Sequence, residues 1–237
     1  MPEFNTLSVK KINHETDKSV SIVFDIPESL KSKYKYKAGQ YITIKTVIDS
    51  EEVVRSYSIC SAPSSGKLKI GVKAIPNGIF SNHAVHNLKI GDVMEVSLPT
   101  GRFTINDPHL ENVLMGIAAG SGITPILSII HDTLESNQDS KFILLYGNKS
   151  KNETMFFEEI AQLEQSYKNR FYCHKIFSQE NNSDSEFGRI DSSFINFCIK
   201  KHPKLKALDF INSAIDFMLI FLFSSDLFIF LACSGCQ

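Results

Sequence analysis

The sequence predicts two domains, an antiparallel β-barrel followed by an α/β domain built on a parallel sheet. From Phe4 to about Ile105, short segments alternate apolar and polar residues between turns, the pattern of half-buried antiparallel strands. After Asp107-Pro108 compact apolar runs alternate with stretches of helical spacing, which implies strands joined by crossover helices. Finally, 237 residues that are 43% hydrophobic can fill two cores. The boundary falls near residues 106–110, giving domains 1–107 and 108–237, with an atypical C-terminal segment from about 207.

In the first domain the strand signals are Val20–Phe24, Gln40–Ile44, Leu68–Val72 and Val93–Ser97, where Val, Ile, Tyr and Phe recur at period two. One helical interruption is expected from Ser81 to Leu88. In the second, Val113–Ile117 is a strand and Pro125 to Leu134 a helix. Phe142–Tyr146 is the next strand, and Met155 to Tyr167 an amphipathic helix with Phe156, Phe157, Ile160 and Leu163 on one side. Phe171–Phe177 is a further strand. No internal repeat is visible.

A formal net charge of -1 with scattered Lys and Arg gives no footprint for nucleic acid. Five cysteines form an odd set, and the first twenty residues are polar and charged rather than a secretory leader. A reducing, cytoplasmic location is the expectation, so the triplets at Asn148, Asn152 and Asn181 read as chance rather than glycosylation sites. The seven histidines lack metal-ligand spacing, His83 and His86 reading as a solvated helical pair. No metal is expected.

Two motifs carry chemistry. Arg55-Ser-Tyr-Ser58 lies in a strand, so Arg55 and Tyr57 share one face and Ser56 and Ser58 the other. A cation beside an aromatic ring, with small hydroxyls nearby, is what a flavin asks of its protein. Downstream, Gly78-Ile-Phe-Ser81 precedes the expected helix, with Ser81 as its cap and free N–H groups facing an anion. In the second motif, strand Val113–Ile117 runs into Gly120-Ser-Gly-Ile-Thr-Pro125 and a helix. Glycines at the carboxyl end of a parallel strand let backbone approach a pyrophosphate, and Pro125 suits a first helical turn.

Together with Gly39-Gln-Tyr41, Val72-Lys73, Gly91-Asp92 and Gly101-Arg-Phe103, all in order along the chain, these motifs make it resemble the ferredoxin-NADP reductase superfamily over roughly Phe4 to Ile199. Within it, the chain is most similar to the reductase components of bacterial multicomponent oxygenases, of the phenylacetate-degradation type. The resemblance implies a ferredoxin reductase-like fold and an NAD(P)H-dependent flavoprotein reductase. Electrons would pass from NAD(P)H through FAD, in preference to FMN, to an iron–sulfur protein or oxygenase component.

It also implies site roles. Arg55 would contact the flavin diphosphate, Tyr57 would lie against the ring and Ser58 would hydrogen-bond near its N5 atom, the last two being the catalytic candidates. Val72, Lys73, Gly78, Phe80 and Ser81 would line the rest of the groove. Gly120, Gly122, Thr124, Pro125, Tyr146, Gly147, Asn148 and Ser178 would receive the dinucleotide, with Thr124 near the nicotinamide. Because Gln179 follows Ser178 where a 2′-phosphate calls for a cation, both NADP and NAD stay open, NADP slightly ahead. Lys149 or Lys175 could supply the charge, although each reads first as a solvated surface lysine.

The C-terminal segment departs from the family pattern. Where members carry a Cys-Gly turn, this chain reads Asn212-Ser-Ala, and Cys233-Ser-Gly-Cys236 cannot complete a two-iron cluster. No cluster is expected in this chain, and a truncated or degenerate paralogue that binds flavin without efficient electron transfer is the alternative. Residues 207–237 hold six of the eighteen Phe and no Lys, Arg or His. A membrane anchor over 215–233, a buried strand or helix, and an aberrant tail all stay open. Asp216 and Asp226 weigh against the anchor, since a carboxylate at mid-bilayer costs about 2.5–3.5 kcal/mol.

Overall fold

The computed structural model describes residues 3–105 and 113–202 with their side chains and the backbone of 229–232. Two compact units divide it, Met1–Asn106 with Leu127–Asp132, and Asp107–Ile126 with Thr133–Gln237.

The first unit is an antiparallel sheet of β1 (Phe4–Thr16), β2 (Ser19–Asp25), β3 (Tyr41–Ile48), β4 (Glu51–Ser58), β5 (Leu68–Lys73) and β6 (Val93–Ser97), in the order β4-β3-β6-β1-β2-β5. The sheet curls toward closure, because the bridge Ile59↔Ile70 joins the end of β4 to edge strand β5. Period-two alternation turns Leu7, Val9, Ile22, Ile42, Ile44, Val53, Ile70, Val72 and Val96 into one buried core. The interrupting helix α1 (Ile79–His86) plugs this core with Phe80, Ala84 and Val85. It begins two residues earlier than the sequence suggests.

The longest strand, β1, carries no clear sequence signal. Only Leu7 and Val9 of its thirteen residues are buried, and register shifts at Val9/Lys11 and His14/Thr16 break its alternation.

The second unit has β7 (Val113–Ala119), the two ends of α2 (Ile123–Ser136), β8 (Lys141–Asn148), α3 (Phe157–Ser166), β9 (Phe171–Phe177), β10 (Glu186–Phe187) and α4 (Ser192–Lys200). Strands β7, β8, β9 and β10 are parallel, in the order β10-β9-β8-β7. The backbone of β11 (Ile229–Ala232) adds an antiparallel edge, Ile229 opposite Ile117 through Ala232 opposite Leu114. That edge breaks the all-parallel expectation and comes from the segment with the shifted composition. The remaining calls on that segment, Asn212-Ser-Ala, Asp216, Asp226, Cys233 and Cys236, fall outside the described residues, as do Asp107-Pro108 and His109. No helix among the described residues is long and apolar enough to cross a membrane.

Arg170 ties the second unit's loops together. Its Nε donates to the Ser140 carbonyl oxygen at 3.0 Å, and Nη2 to those of Leu134 (3.0 Å) and Asn137 (2.5 Å) at the end of α2, where helix carbonyls lack partners of their own.

His174 on β9 and His202, just past α4, face each other. His174 Nε2 lies 2.8 Å from His202 Nε2, and the His202 ring packs on Tyr172 at 4.5 Å between centroids. Burial chiefly, then the His202, Lys201 and Lys175 charges, push the His174 imidazole down to about 4 from 6.5. A His held neutral in the fold but protonated when unfolded contributes full stability above pH 6.5. That stability is lost as pH falls toward 4. We expect acidification across this window to cost about 1–2 kcal/mol through this pair, after allowance for its partial exposure. Urea unfolding at pH 7.5 and 5.0 should show a smaller pH difference in His174→Phe than in the parent; an equal difference would contradict the assignment.

Candidate functional site

On β4, Val53, Arg55 and Tyr57 share a face. Val53 joins the core, Tyr57 is half-buried and Arg55 is exposed. The Tyr57 ring rests on Phe80 of α1, centroids 5.3 Å apart and planes at 38°. Burial pushes the Tyr57 hydroxyl up to about 12, against the lowering effect of Arg55, so the phenol stays neutral and serves as an apolar platform. Arg55 Nη1 donates to its neighbour's carbonyl, Val54 O, at 2.8 Å. It joins no ion pair among the described residues. On the opposite face Ser56 Oγ lies 2.9 Å from Thr43 Oγ1, whereas the half-buried Ser58 hydroxyl has no hydrogen bond among the described residues.

Other expected flavin contacts divide by burial. Val72 and Phe80 are 0% and 1% exposed and belong to the core, so Val72 can offer only backbone and Phe80 acts by supporting Tyr57. Lys73 is half-buried at the end of β5. Gly78, not Ser81, occupies the N-cap of α1. Ser81 lies inside the first turn, where its Oγ accepts from Ile75 N–H (3.3 Å) and donates toward Gly78 O (3.4 Å). The expected serine cap is thus replaced by a glycine cap, and the hydroxyl pins the preceding loop. The first N–H groups of α1 still have no intrahelical partner, as at any helix start.

In the second unit, β7 ends in a tight turn, Gly120–Gly122, before α2. Gly120 has φ +53° and open space where a Cβ would stand, which leaves its backbone approachable. Gly122, Thr124 and Pro125 are buried, with Thr124 Oγ1 donating to Ser121 O at 3.2 Å. Tyr146 is wholly buried, and its hydroxyl donates to Gly120 O at 3.0 Å, so it pins the glycine turn from beneath. A Cβ on Gly147 would stand 3.1 Å from Ile190.

Asn148 closes β8 with both ends of its side-chain amide, Nδ2 and Oδ1, buried and unpartnered among the described residues. Leaving such a group unmade costs about 1–3 kcal/mol, and an amide in that state at the carboxyl end of a parallel strand is suited to a ligand's polar groups. The loops after β8 and β9 are sewn together beside it. Ser178 N–H donates to Asn148 O (3.0 Å), Gln179 N–H to Lys149 O (2.9 Å), and Lys151 N–H to Glu180 Oε2 (2.8 Å).

Lys175 is not the solvated lysine expected: its ammonium is 2.9 Å from Glu164 Oε2 and its side chain only 13% exposed. A cation near Ser178 that the sequence reading does not consider is Arg189. Parallel pairing of Phe187 with Phe177, and donation by Gly188 N–H to Phe177 O at 2.8 Å, carry this exposed residue alongside Ser178. Arg189 has no ion pair among the described residues, and its signal would have been the Gly188-Arg189 step after a short strand. No group of three or more His, Cys, Asp or Glu among the described residues could hold a metal ion.

Residues 6–105 match the family model of an oxidoreductase FAD-binding domain, and residues 117–208 that of an oxidoreductase NAD-binding domain. The chain belongs to the FAD- and NAD-binding oxidoreductases. It is 40% identical over 208 residues to one of the subunits of the 1,2-phenylacetyl-CoA epoxidase of Escherichia coli, covering 83% of this chain and 58% of that protein. It is 35% identical over 166 residues to the ferredoxin reductase component of the 3-ketosteroid-9-alpha-monooxygenase of Rhodococcus rhodochrous, covering 69% and 46%. The chain spans about half the length of the curated relatives it matches.

Among solved structures, the flavohem-like FAD/NAD binding domain of the Vibrio cholerae nitric oxide dioxygenase superposes with a TM-score of 0.69 at 25% identity, covering 84% of this chain and 92% of that one. A ferredoxin NADP+ reductase from Neisseria gonorrhoeae with bound FAD and NADP shares the fold, with a TM-score of 0.68 at 23% identity over 88% and 80% of the two chains. The family thus bears out the barrel followed by an α/β domain. The matched domains lend no support to a degenerate paralogue.

Proposed function

We propose that the chain is an NAD(P)H-dependent flavoprotein reductase, with FAD held by residues 1–107 and the nicotinamide dinucleotide by residues 108–237. The observation that carries this is the pairing on β4 of an Arg55 without an ion-pair partner among the described residues and a Tyr57 ring braced by Phe80. A phosphate suits that guanidinium, and an apolar ring system suits the half-buried phenol. When bound, the flavin supplies the redox chemistry, accepting hydride and releasing electrons one at a time.

The chain's own residues bind and orient. Arg55 and the N-terminus of α1 hold the diphosphate, Tyr57 supports the ring, and the Ser58 hydroxyl is the hydrogen-bonding group beside it. The open backbone of Gly120 and the Asn148 amide receive the dinucleotide. Likeness to an epoxidase subunit and to the ferredoxin reductase component of a monooxygenase supports an oxygenase component as electron acceptor, with an iron–sulfur protein as the other candidate. Thiols at Cys173 and Cys198 outside any disulfide suit a reducing, cytoplasmic location. The test is anaerobic reduction of the FAD-loaded protein by NADPH and NADH, followed by electron delivery to ferricyanide. An FAD-loaded protein reduced by neither would refute the reading.

NADP is the preferred dinucleotide because Arg189 supplies, next to Ser178, the cation that Gln179 does not. Arg189→Ala should raise the KM for NADPH about tenfold or more, the loss expected for one charge-assisted contact, and leave that for NADH nearly unchanged. Equal effects on both would show that Arg189 does not read the 2′-phosphate.

A further inference from the structure

Away from β4 and α1, the first unit holds a cavity of about 430 Å³ between the segment after β2 and the loop before β5. Its apolar surface is given by Ile26, Tyr34, Tyr36 and Pro63, and its polar surface includes Lys31, Lys35 and Lys67. The volume is in the range of small-molecule sites, and apolar walls with a few placed charges are their usual make-up.

The walls are fixed in place. Tyr34 Oη donates to Val96 O at 2.7 Å, and Tyr36 Oη to Ala62 O at 2.8 Å. Ser61 Oγ, 2.8 Å from Tyr36 Oη, donates to Lys67 O at 2.8 Å, so the two sides of the cavity are tied through one hydroxyl network. Both phenol oxygens are thus occupied by protein, and the rings present carbon to the cavity. Burial pushes the Tyr36 hydroxyl up to about 12, Cys60 and Asp132 adding to the effect, so the phenol itself stays neutral.

The charge is one-sided. Lys31 is offset by Glu28, whose Oε2 is 2.5 Å away. Lys35 and Lys67 are exposed and join no ion pair among the described residues. Two uncompensated ammonium groups beside a rigid apolar pocket select one chemistry, an apolar body that ends in an anion. A cation would meet like charge, and a neutral polar molecule would leave the tyrosine and proline surfaces without a partner.

We propose that this cavity is a binding site for a small organic carboxylate with an aliphatic or aromatic body, seated against Tyr34, Tyr36 and Pro63 with its carboxylate between Lys35 and Lys67. The site uses none of the residues assigned to FAD or the dinucleotide, so it stands or falls independently of the reductase reading.

Calorimetric titration of the full chain with octanoate, octylammonium and octanol tests it. Octanoate should bind at one equivalent per chain, octanol at least tenfold more weakly and octylammonium not measurably. The double variant Lys35→Glu/Lys67→Glu, whose changes are confined to exposed side chains, should weaken octanoate at least tenfold with thermal midpoint and flavin content unchanged. Lys168→Glu, an exposed lysine that does not line the cavity, should bind octanoate like the parent. No octanoate binding, equal binding of the three probes, or a double variant that binds octanoate like the parent would each overturn the proposal.

Discussion

Arg55→Ala is expected to leave the barrel folded and to weaken FAD binding about a hundredfold, the loss of one to two charge-assisted hydrogen bonds to phosphate. Arg55 is exposed on a strand whose pairing with β3 runs unbroken from Ile48↔Glu51 to Tyr41↔Ser58, and the one hydrogen bond of its side chain among the described residues is to its neighbour's carbonyl. Truncation therefore removes little from the fold. Arg55→Lys should recover only part of the affinity, since an ammonium cannot make the planar bidentate contact of a guanidinium. Flavin fluorescence titration of the three proteins reads the order parent, Lys, Ala directly. Equal affinities would remove Arg55 from the site.

Gly39→Ala is expected to be among the most damaging single substitutions in the first unit. Gly39 has φ +89°, a conformation that L side chains rarely adopt, and a Cβ there would stand 1.9 Å from the Phe103 carbonyl oxygen. No rotation relieves a clash with backbone, so one of the two loops must move. Strain and overpacking together should cost on the order of 3 kcal/mol or more. Since Gln40 and Tyr41 open β3, with Gln40 O accepting from Ile59 N–H at 2.9 Å, the displacement would reach the end of β4 next to Ser58. Urea unfolding should record the loss. By contrast Gly66→Ala, at φ +63° but with nothing within 4 Å of the added carbon, should cost only about 1 kcal/mol. A Gly39→Ala protein as stable as the parent would contradict the packing described here.

How much of this was legible beforehand depended on how local each signal was. Strands β2, β3, β5 and β6 were visible because their core residues alternate within a few positions. Strand β1 was not, because bulges interrupt its pattern and only two of its residues are buried. The α1 start was misread by two residues. Serine is a common cap, but here Gly78 is held by Ser81 and Asn82 reaching back across the turn, Asn82 Nδ2 donating to Gly78 O at 2.6 Å.

The contacts that define the candidate site were less legible than its residues. Arg55 and Tyr57 share a face by strand geometry alone, yet the Tyr57–Phe80 contact spans 23 positions and depends on where α1 enters the barrel. Arg189 was invisible for the same reason, since only the two-residue strand β10 carries it alongside Ser178. Lys175, exposed by its composition, is withdrawn from solvent by Glu164 on α3. Local periodicity fixes which residues lie on one element; which elements meet is decided by packing between them.

The most direct test of the flavin site on β4 and α1 is the visible absorption spectrum of the purified full chain after incubation with excess FAD and gel filtration. The expected result is a yellow protein carrying about one flavin per chain, bleached by anaerobic NADPH and depleted of flavin in Arg55→Ala. A folded, colourless protein that retains no FAD would contradict it.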